Sequence, residues 1–218
     1  MKKKLIIFDL DGTLLDTIGD LTAATNHALA ALGLPMRSID EVRTFVGNGV
    51  RQLMKRALPE TEAADDGRLD EALALFMAYY NMHNTDFSAP YPGITALLRR
   101  LKQEGMMLAV ASNKYQSATE RLLLHYFPDI LFDAVHGQRP EVPVKPNPMV
   151  VQSIMKETMA QRSEVLYVGD SDVDMKTANN AGVDALGVSW GFRSRESLLD
   201  YKPLAVVDCP SQILDFVL

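Results

Sequence analysis

Short, continuous apolar runs recur along the 218-residue chain, and each ends at a polar or glycine residue. Continuous hydrophobicity is typical of strands covered on both faces, so the pattern predicts a parallel sheet between two helical layers. The stretches between most runs have helical periodicity, and two of them stop at a glycine that fits a helix C-terminus. The predicted strands are Leu5–Phe8, Met106–Ala111, Phe132–Val135, Val165–Val168, Asp184–Val188 and Leu204–Val207, and the predicted helices are Ile94–Glu104, Gln116–His125, Pro148–Met159 and Asp174–Ala181.

This alternation of strands and helices predicts a doubly wound, Rossmann-like α/β core domain, which one region interrupts. Between residues 16 and 86 the pattern is helical throughout and contains no strand-like run. A segment of this length inside a compact domain must have its own structure, so we expect a small, inserted all-α domain. The predicted division is a core of residues 1–15 and 87–218 and a helical insert of residues 16–86, with helices over Asp20–Leu32, Ile39–Phe45, Val50–Leu58 and Asp70–Asn81.

The composition and charge of the chain indicate which partners and which compartment to expect. A net charge of -6 and a pI near 5.2 argue against nucleic-acid binding, which needs a basic surface. The first apolar run is cut short by Asp9, so it is too short for a signal sequence or a membrane span. Cys209 is the single cysteine, which excludes an internal disulfide and suits a reducing compartment. We therefore expect a cytoplasmic protein with no membrane partner, and we expect Cys209 to be a small buried residue.

Reactive polar residues follow four of the apolar runs or their loops. In an open parallel sheet, the loops after the carboxyl ends of the strands share one crevice, where ligands bind. Each residue alone could be a turn or a helix cap, but capping does not explain why several strand ends carry different reactive groups. The sequence therefore predicts one site that contains Asp9 and Asp11, Ser112 and Asn113, Lys145, and Asp170 and Asp174.

The predicted site has the chemistry of phosphoryl transfer. Clustered carboxylates repel one another unless a cation lies between them, and oxygen ligands without histidine or cysteine suit Mg²⁺. One aspartate could attack phosphorus, and a second one two residues later could protonate the leaving oxygen and then activate water. Gly12 would let the chain turn sharply between them. Ser112, Asn113 and Lys145 would donate to the phosphoryl oxygens of a small phosphorylated metabolite.

Four motifs resemble those of the haloacid dehalogenase superfamily and occur in the order found in that family. They are Asp9-Leu10-Asp11-Gly12-Thr13-Leu14, Ser112-Asn113, Lys145-Pro146 and Gly169-Asp170-Ser171-Asp172-Val173-Asp174. The helical insert after the first motif is similar to the small α-helical cap domain of that family. The resemblance spans nearly the whole chain and implies a magnesium-dependent phosphatase with an aspartyl-phosphate intermediate.

The resemblance also implies roles for individual residues. Asp9 would be the nucleophile and a metal ligand. Asp11 would be the general acid and base, with its backbone carbonyl on Mg²⁺. Asp170 would be the third protein ligand of the metal, and Asp174, also assigned to the metal site, would support either Asp170 or Lys145 from behind.

The remaining motif positions would contact the phosphate or the solvent. By the same resemblance, Thr13 and Ser112 would hydrogen-bond the phosphate beside Gly12. Asp172 occupies a variable position of the fourth motif, and we expect it to lie at the surface.

Substrate selection is expected in the helical insert. The segment Val46-Gly47-Asn48-Gly49-Val50 resembles the cap of phosphoglycolate phosphatases, and Trp190-Gly191-Phe192 resembles a late loop of the same enzymes. On this interpretation Gly47, Asn48 and Arg51 face the organic part of the ester. The alternative for the two glycines of the segment is an ordinary turn between helices.

Two other functions are compatible with parts of this pattern. A phosphosugar mutase of the β-phosphoglucomutase type shares every core motif and differs by protecting its phosphoaspartate from water. A receiver-type signalling module also has acidic strand ends and a lysine, but it is shorter and has no helical insert after its first strand. The sequence leaves open whether the protein is a monomer or a homodimer.

Overall fold

The computed structural model describes residues 2–140 and 142–218. Its strands are β1 (Leu5–Phe8), β2 (Leu15–Asp16), β3 (Ala89–Pro90), β4 (Met107–Tyr115), β5 (Ala134–Gln138), β6 (Val165–Gly169), β7 (Asp184–Val188) and β8 (Ala205–Val207). Its α-helices are α1 (Ile18–Ala31), α2 (Ile39–Phe45), α3 (Val50–Ala57), α4 (Glu60–Ala63), α5 (Asp66–Tyr80), α6 (Ile94–Gln103), α7 (Gln116–Tyr126), α8 (Met149–Thr158), α9 (Asp172–Ala181) and α10 (Arg195–Leu199). Two short 3₁₀ helices cover Arg162–Glu164 and Pro210–Phe216.

Six strands form one parallel sheet in the order β5-β4-β1-β6-β7-β8. Strand β1 lies inside the sheet and is fully buried, because both of its faces are covered. Ile6 and Phe8 belong to one apolar layer, and Leu5 and Ile7 belong to the other. Successive side chains of a strand point to opposite faces, so a continuous apolar run supplies both layers. The predicted doubly wound α/β fold is confirmed.

The two layers are closed by helices that lie on opposite faces of the sheet. Helices α6 and α7 contribute Leu98 and Leu122 to one layer, and α8 and α9 contribute Ile154 and Ala178 to the other. Helix α9 begins two residues earlier than predicted, because Ser171 caps it and accepts from the backbone N–H of Asp174. This cap fixes the fourth motif at the carboxyl end of β6.

The chain divides into two compact units. One contains the residues up to Leu15 together with Pro90–Leu218, and the other is Asp16–Ala89. The second unit is all-helical between its ends and contains α1 to α5. Helix α5 begins at Asp66, earlier than the predicted Asp70, because the side chain of Asp65 caps it by accepting from the N–H of Gly67.

A buried carboxylate joins the two ends of this helical unit. Asp20 on α1 is fully buried and accepts from the backbone N–H of Phe87 at 2.8 Å and of Ser88 at 2.9 Å. The hydroxyl of Ser88 donates to the same carboxylate. Gly19 allows this approach, because a Cβ atom there would lie 2.6 Å from Cβ of Phe87. The start of α1 and the end of the insert are therefore fixed to each other.

The position of Cys209 differs from the expectation. Cys209 is exposed at the start of the last 3₁₀ helix, so the prediction that it is buried was wrong. Its backbone N–H is turned toward the side chain of Gln212 in a capping arrangement, which keeps the residue at the surface. Within residues 2–140 and 142–218, no helix combines the length and apolarity that crossing a membrane requires.

Candidate active site

Neighbouring strands deliver the residues of the first, second and fourth motifs to one edge of the sheet. Asp9 follows the end of β1, Ser112 and Asn113 lie in the last part of β4, and Asp170 follows the end of β6. Because β4, β1 and β6 are adjacent and parallel, their carboxyl ends meet. Lys145 reaches the same place from the loop after β5, where its ammonium contacts Asp9.

Three acidic side chains form a cluster at this edge. Oxygens of Asp9, Asp170 and Asp174 lie within 4.8 Å of one another, and all three residues are buried. Burial, followed by the charge of Asp174, raises the pKa of Asp170 to about 7. Burial and the same neighbouring charge also raise the pKa of Asp9 well above its usual range. An oxygen-only donor set whose members repel one another fits a hard divalent cation.

Lys145 offsets part of this negative charge. Its Nζ lies 2.9 Å from Oδ1 of Asp9 and 2.8 Å from Oδ1 of Asp174, and it donates to the carbonyl of Ala111 at 2.8 Å. Burial opposes the charged form of this lysine, but the attraction of Asp174 and Asp9 outweighs it and holds the pKa of Lys145 well above its usual value. Lys145 therefore remains a cation between the nucleophile candidate and the fourth motif.

The second motif holds the third motif in place. The side-chain oxygen of Asn113 accepts from the backbone N–H of Lys145 at 2.8 Å, and its amide donates to the carbonyl of Lys145 at 3.0 Å. Oγ of Ser112 accepts from the backbone N–H of Lys114 at 3.1 Å. The amide of Asn113 is thus a positioning group for Lys145, and the predicted contacts of Ser112, Asn113 and Lys145 with phosphate stay predictions.

Asp170 is fixed by the first motif and by the late loop. Gly12 has φ of 86°, and a Cβ atom there would lie 2.4 Å from Oδ2 of Asp170, so this position requires glycine. Oγ1 of Thr13 donates to Oδ1 of Asp170 at 3.1 Å, and the N–H of Phe192 donates to Oδ2 at 2.7 Å. Trp190 ties the late loop to the first motif by donating from Nε1 to the carbonyl of Thr13 at 3.1 Å. The predicted contacts of Gly12 and Thr13 with phosphate stay predictions.

Asp11 contacts a different partner from the other aspartates. Its carboxylate oxygens lie 2.9 and 3.1 Å from Nζ of Lys114, and it is not one of the three residues of the acidic cluster. The role predicted for Asp11 on the metal uses its backbone carbonyl, so this placement of the side chain leaves that prediction open. The carboxylate, paired with Lys114, lies beside the cluster, and its predicted role as proton donor and acceptor stays a prediction.

Sequence reasoning missed Lys114 and Tyr167. The hydroxyl of Tyr167 lies 3.1 Å from Nζ of Lys145 and 3.1 Å from Oδ1 of Asp174, and burial raises the pKa of this phenol well above its usual value. A signal existed for both residues. Tyr167 is the one polar side chain in an otherwise aliphatic strand, where a buried hydroxyl needs a partner. Lys114 lies two residues after Ser112, which places it on the same side of an extended chain.

The candidate residues of the helical unit make contacts within that unit. Gly47 and Gly49 have φ of 125° and 83°, and Gly49 is the residue before α3. Oδ1 of Asn48 accepts from Arg56 at 2.8 Å, and Arg51 forms an ion pair with Asp70. These contacts fit the turn interpretation of the glycines, and the substrate contacts of Gly47, Asn48 and Arg51 stay predictions.

Asp172 lies at the surface as expected. Its side chain is partly exposed and pairs with Lys176 at 2.7 Å, one turn further along α9. It therefore offers a control for changes made at the buried aspartates of the same motif.

Replacing Asp170 with asparagine is expected to stabilise the metal-free protein at alkaline pH. The folded-state pKa of about 7 lies above the ordinary value of 3.8, so the folded protein binds this proton more tightly than the unfolded chain. The corresponding stability is present below pH 3.8 and is lost as the pH rises through 7. In EDTA at pH 8 we expect the Asp170→Asn variant to unfold roughly 4 to 12 °C above the wild type, because removing the charge recovers about 2 to 4 kcal/mol.

The same experiment at pH 5 should give a smaller difference in Tm. Asp172→Asn, a change to a partly exposed and ion-paired aspartate, should leave Tm within about 1 °C at both pH values. A lower Tm for Asp170→Asn than for the wild type at pH 8 would show that the buried charge does not destabilise the metal-free fold.

Comparison with known proteins places this geometry in a family. A model of the family described as haloacid dehalogenase-like hydrolase matches residues 6–188. A phosphoglycolate phosphatase of Vibrio vulnificus is 37% identical over 222 residues, which cover 99% of this chain and 96% of the relative. Phosphoglycolate phosphatase 1 of Pseudomonas aeruginosa is 34% identical over 99% of this chain and 82% of its own length.

A solved structure agrees with these sequence relatives. The crystal structure of a candidate phosphoglycolate phosphatase from Lactobacillus delbrueckii has a TM-score of 0.92 and 32% identity, over 100% of this chain and 99% of that one. The shared fold, the full-length similarity and the four motifs that meet at one edge of the sheet agree with each other. This chain belongs to the family of haloacid dehalogenase-like hydrolases.

Proposed function

We propose that this protein is a cytoplasmic, Mg²⁺-dependent phosphatase that hydrolyses a small phosphate monoester, with 2-phosphoglycolate as the preferred substrate. The observation that carries the proposal is the buried cluster of Asp9, Asp170 and Asp174 with Lys145 in contact and Asp11 two residues from Asp9. The names of the full-length relatives support the choice of substrate.

In the first step of the proposed reaction, a carboxylate oxygen of Asp9 attacks phosphorus and forms an acyl phosphate. The bond between phosphorus and the ester oxygen breaks, and Asp11 gives a proton to that oxygen as the alcohol leaves. Lys145, held against Asp9 by Asn113 and Asp174, keeps the nucleophile oriented.

In the second step, Asp11 takes a proton from water, and the resulting hydroxide attacks the phosphorus of the acyl phosphate. The bond between phosphorus and Asp9 breaks, which releases inorganic phosphate and restores the carboxylate. Because one side chain serves both steps, Asp11 must end each cycle in the protonation state in which it began.

The donor chemistry of the site fits a magnesium ion. Asp9 and Asp170, with the backbone carbonyl of Asp11, would hold it, and its charge would offset the repulsion among the carboxylates and stabilise the phosphoryl group. Asp174 has one oxygen on Lys145 and Tyr167 and the other on Ser171. We assign Asp174 to supporting Lys145, which was one of the two roles expected for it.

A panel of small phosphate esters tests the proposal, with released phosphate measured in Mg²⁺ buffer. We expect kcat/KM for 2-phosphoglycolate to exceed that for hexose phosphates by at least about tenfold, since a difference of one charged contact is enough for this ratio. Equal values across the panel, or a preference for hexose phosphates, would contradict the proposed substrate. Conversion of β-glucose 1-phosphate to glucose 6-phosphate without released phosphate would support the mutase alternative.

A further inference from the structure

A buried lysine contacts the side chain that meets the leaving group. Nζ of Lys114 lies 2.9 and 3.1 Å from the two carboxylate oxygens of Asp11. The lysine side chain is 4% exposed and the aspartate side chain is 13% exposed, so the pair is largely shielded from solvent. The reaction proposed above accounts for Asp11 but has no role for a cation at this position.

We infer that Lys114 recognises the carboxylate of the substrate and so sets the preference for a short, anionic phosphate ester. The inference rests on the proposed function, because Asp11 must reach the oxygen that leaves phosphorus. In 2-phosphoglycolate, a single methylene separates that oxygen from the carboxyl carbon. A group that contacts Asp11 therefore lies close to where the substrate carboxylate must be.

The other cations near the cluster interact with carboxylates other than that of Asp11. Lys145 lies between Asp9 and Asp174, at the end of the site where phosphorus is attacked. Arg193 acts electrostatically on Asp170. Among the cations whose contacts the structure describes, Lys114 is the one that contacts the general acid and base.

The chemistry of an ammonium group suits this role. It is a compact charge with three rotatable donors, so it can exchange part of its contact with Asp11 for a second carboxylate. The attraction is strengthened by low exposure, because the effective dielectric constant is lower than in water. A phosphate ester of the same length without a carboxylate would bring no second anion to Lys114, so its binding would lack this contribution.

The test compares two substrates in two variants. For Lys114→Met and Lys114→Arg, kcat/KM is measured with 2-phosphoglycolate and with ethyl phosphate, which lacks the carboxylate. We expect the ratio of the two values to fall roughly 10- to 100-fold in Lys114→Met, mainly through KM for 2-phosphoglycolate. Lys114→Arg, which keeps the charge, should recover part of the ratio.

Lys102→Met serves as the matched control. Lys102 lies on α6, and its Nζ is also paired with an aspartate, at 3.0 Å from Oδ2 of Asp133. The substrate ratio of this variant should equal that of the wild type. Lys114→Gln, a less apolar replacement, gives the same comparison if the methionine variant does not fold.

Two results would overturn the inference. An unchanged ratio would show that Lys114 does not recognise the carboxylate. An equal loss of kcat with both esters would show that Lys114 acts only by positioning Asp11. Both results differ from failure of the proposed function, in which the wild type releases no phosphate from any ester.

Discussion

Asp9→Asn is expected to abolish multiple turnover, lowering kcat by at least about 10⁴-fold. The amide is a far weaker nucleophile than the carboxylate and forms no stable acyl phosphate, while its size and shape are nearly the same. The fold should persist, because Lys145 keeps Asp174 as a partner at 2.8 Å. Phosphate release from 2-phosphoglycolate measures the loss, and circular dichroism with thermal unfolding measures the fold.

Asp172→Asn is the control for this change, since it makes the same chemical replacement at a partly exposed aspartate paired with Lys176. It should retain the wild-type kcat within about twofold. Multiple turnover by purified Asp9→Asn would rule out a covalent intermediate on Asp9. Phosphate transfer would then need direct attack by water.

Removal of divalent metal is expected to lower activity by more than about 10³-fold, and added Mg²⁺ should restore it. The reason is that the acidic cluster is buried and crowded: burial, and then the charge of Asp174, raise the pKa of Asp9 and of Asp170. A dianionic phosphate cannot approach such a cluster without a compensating cation. Phosphate release in EDTA, with and without excess Mg²⁺, measures the effect.

Thermal unfolding gives a second readout that does not depend on catalysis. At pH 8, Mg²⁺ should raise the Tm of the wild type, because a bound cation relieves the repulsion in the folded state only. The rise should be smaller in Asp170→Asn, which has lost one of the expected ligands. Full activity after metal removal would falsify the assignment of the ligands.

The sheet and the main part of the site could be predicted because both depend on patterns local in sequence. Four consecutive apolar residues at Leu5–Phe8 require burial on both faces, and Asp9 follows where that run ends. The parallel order of β4, β1 and β6 then brings the second and fourth motifs beside the first. The edge of the sheet that carries the site is therefore predictable from sequence, whereas the contacts within the site depend on three-dimensional packing.

Contacts across strands were harder to predict. Lys114 and Asp11, which form an ion pair, are separated by 103 positions in the sequence. Phe192 donates to Asp170 from its backbone N–H, and because every residue except proline has this group, the residue type does not indicate the contact. The prediction that Cys209 is buried was wrong because it followed from the residue type alone. A local capping arrangement at the surface determines the position of this residue. The partners of Arg51, which lie on α5, likewise depend on how helices pack and not on spacing along the chain.

The buried carboxylate of Asp20 has a consequence for the modularity of the chain. By accepting from Phe87 and Ser88, it closes the helical insert on itself, so that the entry and exit points are neighbours. Contacts within the insert therefore offset the entropic cost of bringing its two ends together. For the sheet, the insert is then equivalent to a short connection between neighbouring points of the chain. Inserts of other lengths and sequences could replace this one without changing the register of the strands, provided that each contains a comparable contact between its own two ends.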